Sequence, residues 1–178
     1  MLWLQQNRSK IYPVLRKETI MLFHLADFII DVDVERTRAF YARYDVPTTS
    51  EGCTCWGCQN FDKAILTAPA TVTEFLRSLG IDPRKPAEAF SLTGEREADG
   101  TVWYNGWYHV CGTVERWPDF EQTATRIIIR PEDCYHPDPS FRFEVIAVPG
   151  TDLVHKEMPT PIIQLEFDTH LPFVLSDS

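Results

Sequence analysis

Three cysteines within six positions are the residues of this chain whose types and spacing are best suited to chemistry. Cys53, Cys55 and Cys58 form a C-x-C-x-x-C pattern, and Gly52 and Gly57 beside them let the backbone curl so that three thiolates converge on one centre. Tetrahedral zinc in structural sites is commonly held by three thiolates and one further sulfur or nitrogen ligand. The spacing therefore predicts a metal site, with zinc as the expected metal.

The fourth ligand must come from elsewhere in the chain. His109 is our first candidate, and Cys111 accompanies it because residues two apart on a strand point to the same face. Cys134 and His136, in a proline-rich loop, are the alternatives. An iron–sulfur cluster ranks below zinc, since the spacing differs from that of ferredoxins.

The cysteine pattern also has interpretations that involve no metal. Cysteine often packs as a small buried hydrophobe, so the cluster can be an inert set of thiols. A cysteine enzyme would use Cys58 as nucleophile and a base such as His109 within hydrogen-bonding reach. The pattern alone leaves these alternatives open.

An aromatic run in the second half is a candidate ligand site. Trp103, Trp107 and Tyr108 could stack on a planar ligand or a sugar. Alternation along a strand would place part of the run in the core, so packing is the competing interpretation. Phosphate-loop, dinucleotide, nucleophile-elbow and H-E-x-x-H patterns are absent from the sequence, which removes several common enzyme classes.

Charge and composition narrow the range of partners. The chain of 178 residues is 44% hydrophobic with a formal charge of -9, so we expect a globular protein that repels nucleic acid and attracts a basic protein partner. Four basic residues against Glu18 give residues 1–20 a net charge of +3, which leaves -12 for the rest. No apolar run is long enough to cross a membrane, and the odd cysteine count without a secretory signal favours the reducing cytoplasm.

Helices are predicted in the first half of the chain. Asp33 is a suitable N-cap, Asn60 is another, and Thr71 with Glu74 forms a capping box for a helix that ends at Gly80. The expected helices are residues 34–45, 60–68, 71–79 and 82–90.

Extended structure is predicted before the first helix and after residue 100. Asp99-Gly100 and Asn105-Gly106 are turn signals and predict a hairpin. The expected strands are residues 22–32, 127–130, 141–148, 162–167 and 173–175. We therefore predict an α+β fold in which N-terminal helices pack on a largely antiparallel sheet formed by the second half. Residues 1–20 are expected to be an extension, and residues 21–178 a single domain.

Four segments resemble a family of uncharacterised small bacterial proteins. The segments are D-V-D-V-E-R-T-R-A-F-Y at 31–41, C-T-C-W-G-C-Q-N-F at 53–61, F-L-R-S-L-G-I-D-P-R-K-P-A-E at 75–88 and W-Y-H-V-C-G at 107–112. The resemblance implies a bacterial cytosolic origin and carries over no catalytic residue. The family pattern has a further cysteine where Trp56 stands, so the resemblance does not imply a local site of four cysteines.

Taken together, the residues favour a zinc-stabilised binding or interaction module. The alternatives are a small cysteine- or metal-dependent enzyme, and an acidic partner-binding protein whose thiols are purely structural.

Overall fold

The fold is built on one antiparallel sheet of six strands. The computed structural model describes residues 20–43, 53, 55–117, 121–122, 127–128, 134–148 and 151–176. The sheet strands are β1 Ile20–Leu25, β2 Phe28–Asp33, β3 Glu88–Ser91, β4 Thr101–Arg116, β7 Phe143–Val148 and β8 Ile162–Pro172; a separate pair contains β5 Glu121–Gln122 and β6 Ile127–Ile128. The strand order is β1-β2-β4-β8-β7, and β3 pairs with β4 beyond the end of β2.

Three helices accompany the sheet: α1 Val34–Tyr41, α2 Trp56–Ala64 and α3 Ala70–Ser78. Asp33 caps α1, since its Oδ1 accepts a hydrogen bond from the Arg36 amide at 2.9 Å. After α2 and a short 3-10 turn, Pro69 forces a new start for α3. Gly80 ends α3 with a φ of 84°, and a Cβ there would lie 2.6 Å from the Val34 carbonyl oxygen.

The two faces of the sheet differ in burial. From Thr101 to Tyr108, the residues of β4 alternate strictly between half-buried and buried. The buried set faces α2, as ring contacts of Phe61 with Tyr104 and Phe167 indicate. We call this side the covered face and the other side the open face. The covered face contains the main hydrophobic core.

Helix α1 closes a gap in the sheet beside β4. Between the segments of β4 that pair with β3 and with β2, the Tyr41 hydroxyl donates to the His109 carbonyl at 2.9 Å and accepts from its amide at 3.3 Å. The Thr37 hydroxyl accepts from the Cys111 amide at 3.0 Å. Side chains of α1 thus satisfy strand groups that would otherwise lack partners.

The predicted mixed α+β class is confirmed, and so is the break between the second and third helices. The sheet is not formed by the second half alone, since residues 22–32 are a hairpin of β1 and β2 that turns at Ala26. Residues 82–90 contain β3 rather than a helix. Asn105-Gly106 is not a turn, because β4 runs straight through it. A side chain at Gly106 would collide with the Glu88 carbonyl oxygen, so this glycine permits the close approach of β3.

Two predicted caps have other roles. Asn60 lies inside α2, which begins four residues earlier. Thr71 does not cap α3 and instead donates its hydroxyl to Asp138 at 2.7 Å. Residues 173–175 form no strand. The predicted extension lies almost wholly outside the described residues, and in the part of the chain that the structure describes no helix is long and apolar enough to cross a membrane.

Candidate metal centre

The three cysteines lie at the beginning of α2. Cys55 is the N-cap of this helix, with extended backbone angles, and its Sγ accepts from the Cys58 amide at 3.5 Å. The x-x spacing of the pattern therefore places Cys55 at the cap and Cys58 in the first turn. Helix amides that lack carbonyl partners point toward this end, and their partial positive charge favours thiolates.

The sulfur atoms of Cys53, Cys55 and Cys58 all lie within 4.8 Å of one another. Thiolates about 2.3 Å from a tetrahedral zinc ion are separated from each other by roughly 3.8 Å, so only a small adjustment is needed to bind one ion. Cys53 is half-buried, Cys55 is exposed and Cys58 is buried. The cluster is thus able to hold a metal ion, while the geometry leaves the identity of the metal open.

A buried hydrogen-bond network fixes this end of α2 to the sheet. The Tyr104 hydroxyl of β4 donates to the Gly57 carbonyl at 2.8 Å and accepts from Asn60 Nδ2 at 3.2 Å. Asn60 also donates to the Pro172 carbonyl at 3.1 Å and accepts from the Val174 amide at 2.7 Å. Burial raises the pKa of Tyr104 to about 12, so its hydroxyl keeps the proton that it donates. The beginning of α2, which contains the cysteines, is therefore anchored to the core.

A groove of about 390 Å³ borders the cluster. The three cysteines, Trp56 and Gly57 form one wall, and residues 88–91 of β3 with Gly94 form the other. The outer part of the α2 N-terminus is further held by the ring of Trp56, which lies 6.0 Å from that of Phe173. A ligand in this groove would lie directly beside the thiols.

The predicted fourth ligands are not part of the cluster. Among the described residues, the group of mutually close ligand atoms contains the three cysteines alone. The alternation of β4 puts His109 and Cys111 on the open-face side, whereas α2 lies on the covered face. Cys134 and His136 flank Tyr135, which forms a β-bridge with Val145 of β7. Strand β7 lies at the edge of the sheet beyond β8, whereas β3 pairs with the other side of β4.

His109 lies in a small buried site of its own. Its Nε2 is 3.3 Å from Gln164 Oε1, and the Asp152 amide donates to the same oxygen at 2.7 Å. The segment 151–160 covers this end of the open face, and Phe40 of α1 contacts its His155 ring at 5.7 Å. Burial lowers the pKa of His109, so the neutral imidazole is favoured.

The predicted aromatic site is divided between the two faces. Trp103 and Trp107 share the open face and are half-buried. Tyr108 is fully buried on the covered face, where its hydroxyl donates to the Pro83 carbonyl at 2.6 Å. Since alternate residues of a strand point in opposite directions, Tyr108 does not share a binding surface with the two tryptophans.

Sequence reasoning missed Tyr104 and Asn60 as the support of the cysteine site. Asn60 follows Cys58 by two residues, yet its partners are 44 and 112 positions away. No local pattern signals contacts of that kind. A local signal did exist for the helix start, because a C-x-x-C segment followed by an amphipathic run is compatible with a thiol N-cap.

The fold and the site define a mixed α+β domain with a three-cysteine cluster able to bind a metal. No protein-family model matches the chain, and no curated protein or solved structure is significantly similar to it. The resemblance of its four segments to small bacterial proteins therefore stays a prediction.

Proposed function

We propose that the protein is a zinc-stabilised binding module in which Cys53, Cys55 and Cys58 supply three thiolate ligands. The observation that carries the proposal is the convergence of the three sulfur atoms to within 4.8 Å at the start of α2. Zinc suits a soft, thiolate-rich ligand set. Because the ion would tie residue 53 to the first turn of α2, its binding would add directly to the stability of the fold.

The groove beside β3 would give an external fourth ligand access to the three thiolates. A bond from His109 would require its ring to leave Gln164 and reach the covered side of β4. An external ligand, such as water or a group from a binding partner, needs no such rearrangement. We therefore keep His109 as the less favoured fourth ligand.

A small cysteine- or metal-dependent enzyme is the second candidate. The groove of about 390 Å³ favours it, because pockets for small molecules typically measure about 300–1,000 Å³. An open metal position beside a groove of this size has the arrangement of catalytic zinc sites, which keep one position for water or substrate. In either case a reducing compartment such as a bacterial cytoplasm fits the thiolate ligands.

The test is a metal analysis of protein purified without oxygen. We expect about one zinc ion per chain by plasma mass spectrometry, and we expect Cys58→Ser to lose most of it. Cys134→Ser is the matched control, since Cys134 lies outside the cluster and its loss should leave the metal content unchanged. Chelation should lower the thermal midpoint of the original chain and of the control, but not that of Cys58→Ser.

Cobalt substitution tests whether the fourth position is open or is held by His109. Three thiolates should give intense charge-transfer absorption, and an open position should respond to added imidazole without release of the metal. A cobalt spectrum that does not change on addition of imidazole would favour a closed structural site. Loss of the charge-transfer absorption in His109→Gln would make His109 the fourth ligand. Protein without metal, and with three readily alkylated thiols in the cluster, would contradict the zinc proposal.

A further inference from the structure

A tryptophan on the open face is paired with a glutamate on each of its two neighbouring strands, and Glu88 Oε1 accepts a hydrogen bond from the Ala89 amide at 3.1 Å. In the register of the sheet, Trp107 of β4 is directly opposite Glu88 of β3 on one side and Glu166 of β8 on the other. Directly paired residues of antiparallel strands point to the same face, with Cβ atoms about 5 Å apart. An indole flanked in this way offers a π surface and two negative charges to one ligand.

The neighbouring tryptophan demonstrates what such a surface binds. The Arg142 guanidinium lies over the ring of Trp103, with its carbon 5.3 Å from the ring centroid. Its Nη2 is 3.2 Å from Asp168 Oδ1, and Trp103 Nε1 donates to the other oxygen of Asp168 at 2.7 Å. His170 stacks on the same indole at 5.5 Å. A tryptophan and a carboxylate thus hold a guanidinium within the molecule itself.

The Trp107 position has the same components without the cation. Among the described residues, neither Glu88 nor Glu166 forms an ion pair. Gln164 Nε2 donates to Glu166 at 3.2 Å, and burial together with the nearby charge of Asp152 raises the pKa of Glu166. An incoming cation would relieve this unfavourable desolvated charge.

The Trp107 side chain is already held in position. Trp107 Nε1 donates to the Asp152 carbonyl at 3.1 Å, so the indole is fixed before any ligand arrives. A preorganised aromatic surface binds with little loss of side-chain entropy.

We propose that Trp107, Glu88 and Glu166 bind a lysine or arginine side chain from a basic segment of a partner polypeptide. Charge complementarity supports this occupant, because the chain carries a net charge of -9. Phe90 and Leu92, on the adjoining strand and loop, are exposed and add an apolar area to this surface. The combined area is larger than a small free cation would cover. Glu88 and Phe90 also line the groove beside the cysteines, so metal content has to be measured together with peptide binding to keep the two proposals apart.

The test measures binding of a fluorescein-labelled hexa-arginine peptide by anisotropy. The double variant E88Q/E166Q should weaken binding at least about tenfold, because it removes both flanking charges and keeps the side-chain shapes. The matched control is E74Q/E115Q, which removes two exposed carboxylates away from Trp107 and should change the affinity by less than about twofold. Metal content is measured on both, and E88Q/E166Q should retain it.

A second readout locates the contact. The Trp107 indole N–H resonance should shift on titration in proportion to occupancy, and Trp107→Phe should weaken binding by a smaller factor than E88Q/E166Q, since phenylalanine keeps part of the cation–π attraction. Equal weakening in the two double variants would contradict the proposal, because it would mean that the affinity depends on the net charge of the protein and not on these two glutamates. So would equal affinity for free arginine amide and for the peptide, which would make the ligand a small cation.

Discussion

The covered and open faces of the sheet contain residues of the same strand and differ in almost every physical respect. On the covered face Phe61, Tyr104 and Phe167 pack ring against ring at zero to one per cent exposure. On the open face Trp103 and Trp107 remain half-buried. Trp103 contacts Asp168 and Arg142, and Trp107 donates to the Asp152 main-chain carbonyl. The difference indicates that the covered face contributes most to stability and positions the cysteines, while the open face around the two tryptophans stays partly exposed to solvent.

The largest test of this contrast is Phe61→Ala. Phe61 is fully buried, with its ring 5.6 Å from that of Phe167, so its removal leaves a cavity on the covered face. We expect the free energy of unfolding to fall by about 3–5 kcal/mol in urea titrations. The control, Phe90→Ala, removes a ring that is 41% exposed and should change stability by no more than about 0.5 kcal/mol.

If Phe61→Ala and Phe90→Ala lowered the free energy of unfolding by similar amounts, the two faces would not differ in their contribution to stability. The slope of the unfolding transition must stay constant for the comparison to hold, since a change in slope would mean altered compactness of the unfolded chain.

A smaller effect is expected from Tyr104→Phe, because Tyr104 links the covered face to the candidate metal centre. Loss of the hydroxyl leaves the Gly57 carbonyl and Asn60 Nδ2 without one partner each in a buried place. We expect the unfolding free energy to fall by about 1–3 kcal/mol. Because Gly57 lies between two proposed ligands, zinc affinity measured by competition with a chelator should weaken as well.

Tyr135→Phe is the matched control for this substitution. Tyr135 is half-buried against Phe75, and its hydroxyl has no hydrogen-bond partner among the described residues. Its removal should leave both stability and zinc affinity nearly unchanged. Unaltered zinc affinity in Tyr104→Phe would show that the cysteines do not depend on the sheet for their position.

The part of this architecture that sequence predicts is the local part. Helix α3 ends at Gly80 as expected, since a residue with positive φ is required there, and the cysteine cluster follows from spacing alone. Asn105-Gly106 was misleading, because the same dipeptide that favours a tight turn also permits the close approach of β3 at Gly106. Short-range chemistry could not distinguish these two uses of glycine.

Assignment of residues to faces depended on long-range register. Trp107 and Tyr108 are adjacent in the chain, and only the placement of α2 decides which of them is buried. The position of His109 on the other face from α2 has the same origin. Alternation along a strand decides which side chains share a face, but the sequence of the strand does not tell which face the helices cover.

The smallest predicted effect is on the pH dependence of stability, and it compares Asp62 of α2 with His109 of β4. Asp62 of α2 has its pKa raised by burial to about 6, despite the opposing charge of Arg84, and one of its oxygens lacks a hydrogen-bond partner. An acid whose folded pKa is raised takes up a proton more readily in the folded chain, so its contribution falls as pH rises from about 4 to 6. His109 behaves oppositely. Its folded pKa is lowered by burial, so stability is lost as pH falls below its ordinary value of 6.5.

Two neutral replacements therefore should change the pH profile of stability in opposite directions. Asp62→Asn should remove a component that decreases with rising pH, and it should raise stability at pH 7 relative to pH 4. His109→Gln should remove a component that increases with rising pH, so its deficit relative to the original chain should shrink on acidification. Unfolding free energies from urea titrations at successive pH values measure both slopes. Parallel changes in the two variants would mean that the carboxyl and the imidazole are not desolvated in the way their surroundings indicate.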